Sequence, residues 1–303
     1  MNLDRELKED LQLCSRSECP VCGEERSEVP YRFDGIALRR CVACRMAWTD
    51  PFLTEEGMQQ FFSEALFERY PFLKGYDAVG SAPDQGRHTI QGFARALEHL
   101  EKSGAYPGPL LDIGCGSGVF LKLAKQRGWK VQGVDFDAKR VETLNRDFGI
   151  PVELGGWKRP SAQDGAFSVV CMWDVLEHLE SPCAVIHECG RILKPGGRVL
   201  IACPNDRSLV MLIAFFLRRI TFGAFEKPLR YMYTLLHPLY FRPSVVRTLL
   251  KQEGLEVERL NLDHTDLDRL NLPLYVRWAA KVIFWIASWS GLGNRFVVIA
   301  RKV

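Results

Sequence analysis

Beyond residue 109, short apolar runs alternate with amphipathic stretches along the chain. LLDIG, from Leu110, is too short for a helix and dense enough for a strand buried on both faces. VFLKLAKQRG follows with helical spacing and stops at Gly128, and KVQGVDF is a second strand. The helix AKRVETLNRDFG, a short strand PVELG and the strand FSVVCMW come next. A helix ending in LKPGG then leads into RVLIACP. Strands that alternate with helices in this way predict an α/β domain, a mostly parallel sheet with helices on both faces.

The first third reads differently. Thr54 before Glu55 and Glu56 marks a helix start, an oxygen cap followed by acids in the first turn. TIQGFARALEHLEK, residues 89–102, carries Ile90, Phe93, Leu97 and Leu100 at helical spacing. Before these, CPVC at Cys19 and Cys22 and CVAC at Cys41 and Cys44 set a C-x2-C-x18-C-x2-C pattern. Such spacing reads as a zinc site, and four sulfur ligands leave no open position, so the metal is expected to be structural. Asp34-Gly35, between strand-like runs, predicts the hairpin turn that brings the two knuckles together. Arg45 stands after the second knuckle, where a glycine is common. The expected organisation is a ribbon over residues 1–50, a helical linker or cap over 51–109, and the main domain over 110–303 with a helical insertion at 263–294.

With 303 residues and 47% apolar content the chain can bury a full core. A net charge of +3 gives no compositional case for nucleic acid. Residues 14–50 hold six arginines against six acids, a balance that counts against a phosphate-gripping ribbon. MNLDRELKEDLQL does not have the pattern of a signal peptide. The ten cysteines suit a reducing compartment, and a cytoplasmic location is expected.

The glycines between Asp112 and Val119 carry the chemistry. A dinucleotide fingerprint, G-x-G-x-x-G/A, fails because Val119 stands where a small residue is needed. What remains is D-x-G-x-G-x-G, from Asp112 through Gly114, Gly116 and Gly118, with Asp135 ending the second strand in GVDFD. With FSVVCMWDVLEHL and LKPGGRVLIACPN, these motifs resemble class I S-adenosylmethionine-dependent methyltransferases over roughly residues 85–262 and 295–303. The resemblance implies a Rossmann-like sheet of seven strands, the last being RFVVIARKV. It implies that Gly114, Cys115, Gly116 and Gly118 lie against S-adenosylmethionine and that Asp135 takes the two ribose hydroxyls. Phe136 would pack beside adenine, Asp112 would order the loop near the cofactor's amino group, and Met172, Trp173 and Asp174 would line the methionine end. Asp137 is a second ribose candidate and also a helix cap. Where relatives often hold adenine with an acid, this chain has Gly155, Gly156 and Trp157. Arg87 and Tyr76 are candidates for the cofactor's carboxylate.

Methyl transfer is mostly positioning, and a hydroxyl acceptor gains from a base. His178 in LEHL is the leading candidate, and His237 in TLLHPLYFRPS, flanked by Tyr231, Tyr233 and Tyr240, is a separate one. From Arg207 to Lys251 eight basic residues face one acid, interleaved with LVMLIAFFL. LYVRWAAKVIFWIASW, from Leu274, is either a lid helix or a peripheral contact at the inner face of a membrane. The expected acceptor is a small or lipid-linked molecule of glycan or isoprenoid type. The alternative is RNA gripped by the ribbon.

Overall fold

A computed structural model describes residues 11–62, 86–105, 108–158, 162–267 and 274–303. Tyr76 and the middle of the predicted linker lie outside them.

The ribbon is built from β1 (Leu13–Cys14), β2 (Ser27–Phe33), β3 (Ile36–Cys41), β4 (Ala47–Asp50) and β5 (Phe52–Leu53). The β2–β3 turn is the predicted one: Asp34 and Gly35 both take left-handed φ, 42° and 72°, so Phe33 pairs directly with Ile36. Helix α1 (Glu55–Phe62) starts where predicted, with Thr54 Oγ1 accepting from the Gly57 amide at 3.0 Å. Helix α2 (Arg87–Lys102) buries Phe93, Leu97 and Leu100.

The α/β unit follows as β6 (Pro109–Ile113), α3 (Val119–Gln126), β7 (Lys130–Asp135), α4 (Ala138–Phe148), β8 (Val152–Leu154), β9 (Phe167–Trp173), α5 (Pro182–Ile192) and β10 (Leu193–Pro204). Helices α6 (Leu209–Ile220) and α7 (Lys227–Met232) lead to β11 (Leu239–Tyr240) and α8 (Pro243–Gln252). The chain ends with β12 (Leu255–Asp263), α9 (Leu274–Ser290) and β13 (Arg295–Lys302).

Seven strands form one sheet in the order β12-β13-β10-β9-β6-β7-β8, parallel except for β13, which runs antiparallel to both neighbours. Its apolar strands feed two cores by simple alternation. Leu111, Val170, Met172, Ile201 and Val298 join the core that holds α5 and α8. Leu110, Val169, Cys171, Leu200 and Ile299 join the core that holds α2, α3 and α4. Burial on both faces is why these strands read as near-continuous apolar runs. The LKPGG stretch, the end of a helix in the sequence reading, lies inside β10, where the pairing with β9 shifts register between Leu193 and Arg198.

A third core joins the ribbon to the C-terminal half, with Tyr31, Phe33, Leu38, Met58 and Phe61 packed among Met211, Ala214, Leu229, Tyr233 and Leu236. β11 adds to the ribbon sheet in the order β11-β4-β3-β2, with Leu239 opposite Trp48 and Tyr240 opposite Ala47. Beside this seam lies Asp206, buried after β10. It accepts from Arg40 Nη2 at 3.0 Å, from Arg242 Nε at 2.9 Å and from the Tyr233 hydroxyl at 2.7 Å. Tyr233 and Tyr240, acceptor-side candidates from sequence, are thus buried structural residues, their rings edge to face at 4.7 Å. Removing the Asp206 carboxylate leaves two guanidiniums facing each other unbalanced. Asp206→Ala is expected to cost about 3–5 kcal/mol of unfolding free energy in urea titration, with ribbon and sheet losing stability together.

Candidate active site

The carboxyl ends of β6, β7 and β9 converge on the glycine loop. Gly114, Gly116 and Gly118 all have left-handed φ, 69°, 53° and 70°. Two also lack room for a Cβ: at Gly114 it would lie 2.6 Å from Val175 Cγ2, and at Gly118 it would lie 2.4 Å from Leu144 Cδ2. At Gly116 the nearest atom would be Arg140 Nη1 at 3.7 Å, so that position requires glycine for its backbone and leaves space above it. The Gly114 and Cys115 amides donate to Val134 O at 2.8 and 3.1 Å, which ties the loop to β7.

Asp135, at the end of β7, is buried and accepts from the Gly116 amide at 2.7 Å and the Asp137 amide at 3.0 Å, one bond on each oxygen. A carboxylate has about four acceptor sites, so each oxygen keeps one for a ligand hydroxyl. Asp137 is the cap of α4, accepting from the amides of Lys139 and Arg140. Asp112 is fully enclosed, and its Oδ1 has no hydrogen-bond partner among the described residues. Burial, with Asp135 nearby, lifts its carboxyl well above the ordinary range. A buried acceptor that lacks a donor, beside a loop held open by Gly116, fits a ligand bearing an ammonium and vicinal hydroxyls.

The other residues named from sequence divide into lining and core. The Phe136 ring lies against the Gly156 backbone, where a Cβ would come within 2.9 Å of it. Met172 is fully buried in the core and Cys115 is buried, so side-chain contact with a ligand is not their evident function. Trp173 packs edge-on against Phe93 with centroids 4.5 Å apart and tilts against Phe120 at 5.3 Å. Its Nε1 is enclosed without a partner among the described residues. Asp174 takes a left-handed φ of 56° and is gripped by Arg295, whose Nη1 and Nη2 lie 2.8 and 2.6 Å from its two oxygens. Sequence gave no sign of this pair, because its members are 121 residues apart.

Past Asp174 the chain turns through Leu176–His178, and Val175 abuts the glycine loop. Glu177 is enclosed, and burial with the Asp174 charge pushes its carboxyl up to about 8. His178 Nδ1 lies 2.5 Å from Leu236 O, a bond in which the nitrogen donates, so Nε2 carries the lone pair. Its ring meets that of His237 edge to face at 4.7 Å. Burial lowers the pKa of both, His237 to about 3, so both imidazoles are neutral near pH 7. The structure thus brings together the two histidines that sequence named separately. Ribbon residues hold this wall: the Thr49 amide donates to Pro238 O at 3.0 Å, one residue from His237.

In the ribbon, all four Sγ atoms lie within 4.8 Å of one another, with Cys19–Cys44 at 3.5 Å and Cys22–Cys41 at 3.6 Å. The Cys44 thiol pulls Cys19 down to about 5, and Cys44 is raised in turn. Arg45 takes φ 67°, matching Gly23 at 72° after the first knuckle. Five of the six ribbon arginines pair with carboxylates: Arg16 with Glu180, Arg26 with Glu24, Arg39 with Asp50, Arg40 with Asp206 and Arg45 with Glu28.

Residues 86–260 match a family described as a methyltransferase domain. Over 197 residues the chain is 28% identical to a ubiquinone biosynthesis O-methyltransferase of Nitrosococcus oceani, which spans 61% of this chain and 80% of that protein. It is 31% identical over 166 residues to the protein of that name in Pseudomonas aeruginosa, across 52% of this chain and 68% of the other. Among solved structures, a Thermotoga maritima protein described as an S-adenosylmethionine-dependent methyltransferase, possible histamine N-methyltransferase, superposes with TM-score 0.52 at 17% identity. The match covers 81% of this chain and all of that one. A Pyrococcus horikoshii protein gives 0.51 at 16% identity, over 77% and 99% of the two chains. Both show the shared fold.

Gly118→Ala tests the loop directly. The strained φ and the Leu144 contact are expected to cost about 1–3 kcal/mol, read as a lower urea midpoint with unchanged slope.

Proposed function

This chain belongs to the methyltransferase domain family, and from that premise we propose that it methylates a hydroxyl on a small or lipid-linked acceptor, with His178 as the base. The observation that carries the reading is the neutral His178–His237 pair, set one turn from the glycine loop and oriented through Leu236 O. The O-methyltransferase relatives named in ubiquinone biosynthesis support oxygen as the acceptor atom and an isoprenoid-type acceptor.

When bound, S-adenosylmethionine supplies an electrophilic methyl group on a sulfonium whose departure needs no acid. Asp135 would hold the ribose hydroxyls, Asp112 would face the amino group, and Gly116 would let the backbone approach. His178 takes the acceptor's hydroxyl proton at Nε2 while its Nδ1–H stays on Leu236 O, which fixes the ring. His237, also neutral, offers a hydrogen bond that orients the acceptor oxygen. Arg295 fixes Asp174 and so sets where the turn bearing His178 begins. RNA is the weaker reading, because five of the ribbon's six arginines are already paired with carboxylates of this chain.

The test uses methyl-labelled S-adenosylmethionine, the purified protein and a lysate split into lipid, polysaccharide, small-molecule and RNA fractions, with Asp135→Ala as control. Label is expected in the lipid or small-molecule fraction and lost in the variant, whereas label in RNA overturns the reading. On the acceptor so found, His178→Ala is expected to lower kcat about 10²–10⁴-fold with cofactor affinity unchanged. Because burial depresses the His178 pKa, the wild-type rate should be flat above pH 6.5 and fall only below it, as the base takes a proton.

The four cysteines fit a structural zinc ion. A tetrahedron with Zn–S bonds of about 2.3 Å has sulfur–sulfur edges of about 3.8 Å, on the scale of the observed separations. Cys41→Ser is expected to abolish a one-to-one zinc content measured by elemental analysis and to lower the thermal midpoint of the whole chain, since β4 carries β11.

A further inference from the structure

A helix on a protein surface ordinarily turns its apolar stripe inward. In α9 a second apolar stripe turns outward. Leu274, Trp278, Val282, Trp285 and Trp289 follow one another at intervals of three and four residues, so they share one face, and that face is exposed. The three tryptophans are 71%, 65% and 79% accessible. The side toward the protein carries the partly buried Val276, Ile283 and Phe284 and the buried Ala287, with the Phe284 ring stacked on His264 at 4.8 Å. The lid helix that the apolar run allowed in the sequence would bury the stripe, and it does not.

Helix α9 packs against α6, whose Leu212, Phe216 and Ile220 are exposed as well. At the end of α6 stands Phe222, 99% accessible, on a left-handed backbone with φ 50° followed by Gly223 at φ 89°. A bulky residue in that conformation is strained, and here the strain holds an aromatic ring in solvent. Exposed apolar surface of this extent marks an interaction site. Its charge identifies the partner. Residues 207–232 hold five arginines and lysines against Glu226, and α9 holds Arg277 and Lys281 with no acid. Arg219, Lys227 and Lys281 are exposed beside the apolar side chains.

We propose that the face made by α6, the Phe222 turn and α9 docks on a membrane surface carrying anionic headgroups. Tryptophans would enter the boundary between headgroup and acyl chain, where an amphipathic ring is favoured, while Arg219, Lys227 and Lys281 meet the phosphates. The contact is peripheral: among the described residues no helix is long and apolar enough to cross a membrane. It suits the lipid-linked acceptor proposed above, but it is measured without methylation, so failure of either leaves the other standing.

The full chain is mixed with vesicles of phosphatidylcholine alone and of phosphatidylcholine with phosphatidylglycerol, then sedimented. The same vesicles made with brominated acyl chains report insertion by quenching tryptophan fluorescence. Co-sedimentation and quenching are expected with phosphatidylglycerol and weaker without it. In a Trp285→Glu, Trp289→Glu double variant, binding is expected to fall by more than about tenfold while circular dichroism and S-adenosylmethionine affinity are unchanged. Lys281→Glu should weaken binding to the anionic vesicles alone. Wild-type protein that neither sediments nor is quenched with either vesicle overturns the proposal. So does self-association, seen in sedimentation velocity and abolished by Trp285→Glu, without vesicle binding, which would assign the face to a second copy.

Discussion

A single carboxylate, that of Asp206, decides how the halves of this molecule meet. A charge taken fully out of water must be balanced where it sits. Here the balance comes from Arg40 in the ribbon, Arg242 before α8 and the Tyr233 hydroxyl. None of these partners can leave without stranding the others. The seam is therefore fixed in register, and with it the run from Thr234 to Tyr240, which pairs through β11 with β4 and carries His237. In the reaction proposed above, the ribbon would act without contributing a reacting group. It supplies the amide that holds Pro238, and His178 reads the same segment from the other side through Leu236 O.

The site divides by electrostatic character. On the glycine-loop side two acids lie on adjacent strands, one bonded to loop amides and the other short of a donor, a surface suited to ammonium and hydroxyl groups. On the other side, two imidazoles are kept uncharged by burial, next to a carboxyl that burial also pushes toward its neutral form. Proton-accepting groups thus lie where charge is costly, and Val175 joins the two sides by packing against Gly114.

Much of this was legible in the sequence, for reasons that particular residues make plain. Strand and helix alternation was readable because both faces of the sheet are buried, so each strand is a dense apolar run. Asp34-Gly35, Thr54 and Asp137 declared turns and caps because their roles are local and need only neighbours in sequence. The motif acids could be named, but the fates of Met172 and Cys115 could not, since alternation in a doubly buried sheet leaves no polar side to mark orientation. The Asp206 and Arg295 contacts join residues far apart, and β11 is two residues long, too short for any periodicity. For α9 the spacing showed which residues share a face and said nothing of which way it turns.

The β4–β11 pairing bears on how such a protein can be taken apart or recombined. Judged by cysteine spacing, the ribbon ends near residue 50 and looks like an appendage that evolution could exchange freely between catalytic domains. Judged by hydrogen bonds, its fourth strand lies more than 180 residues downstream, in Leu239–Tyr240, and its buried arginine is neutralised at Asp206. The heritable module is therefore discontinuous. A ribbon transplanted alone would arrive with an open sheet edge and an uncompensated cation, so the ribbon and the segment that carries His237 are expected to have diverged as one unit, whatever the glycine loop between them was doing.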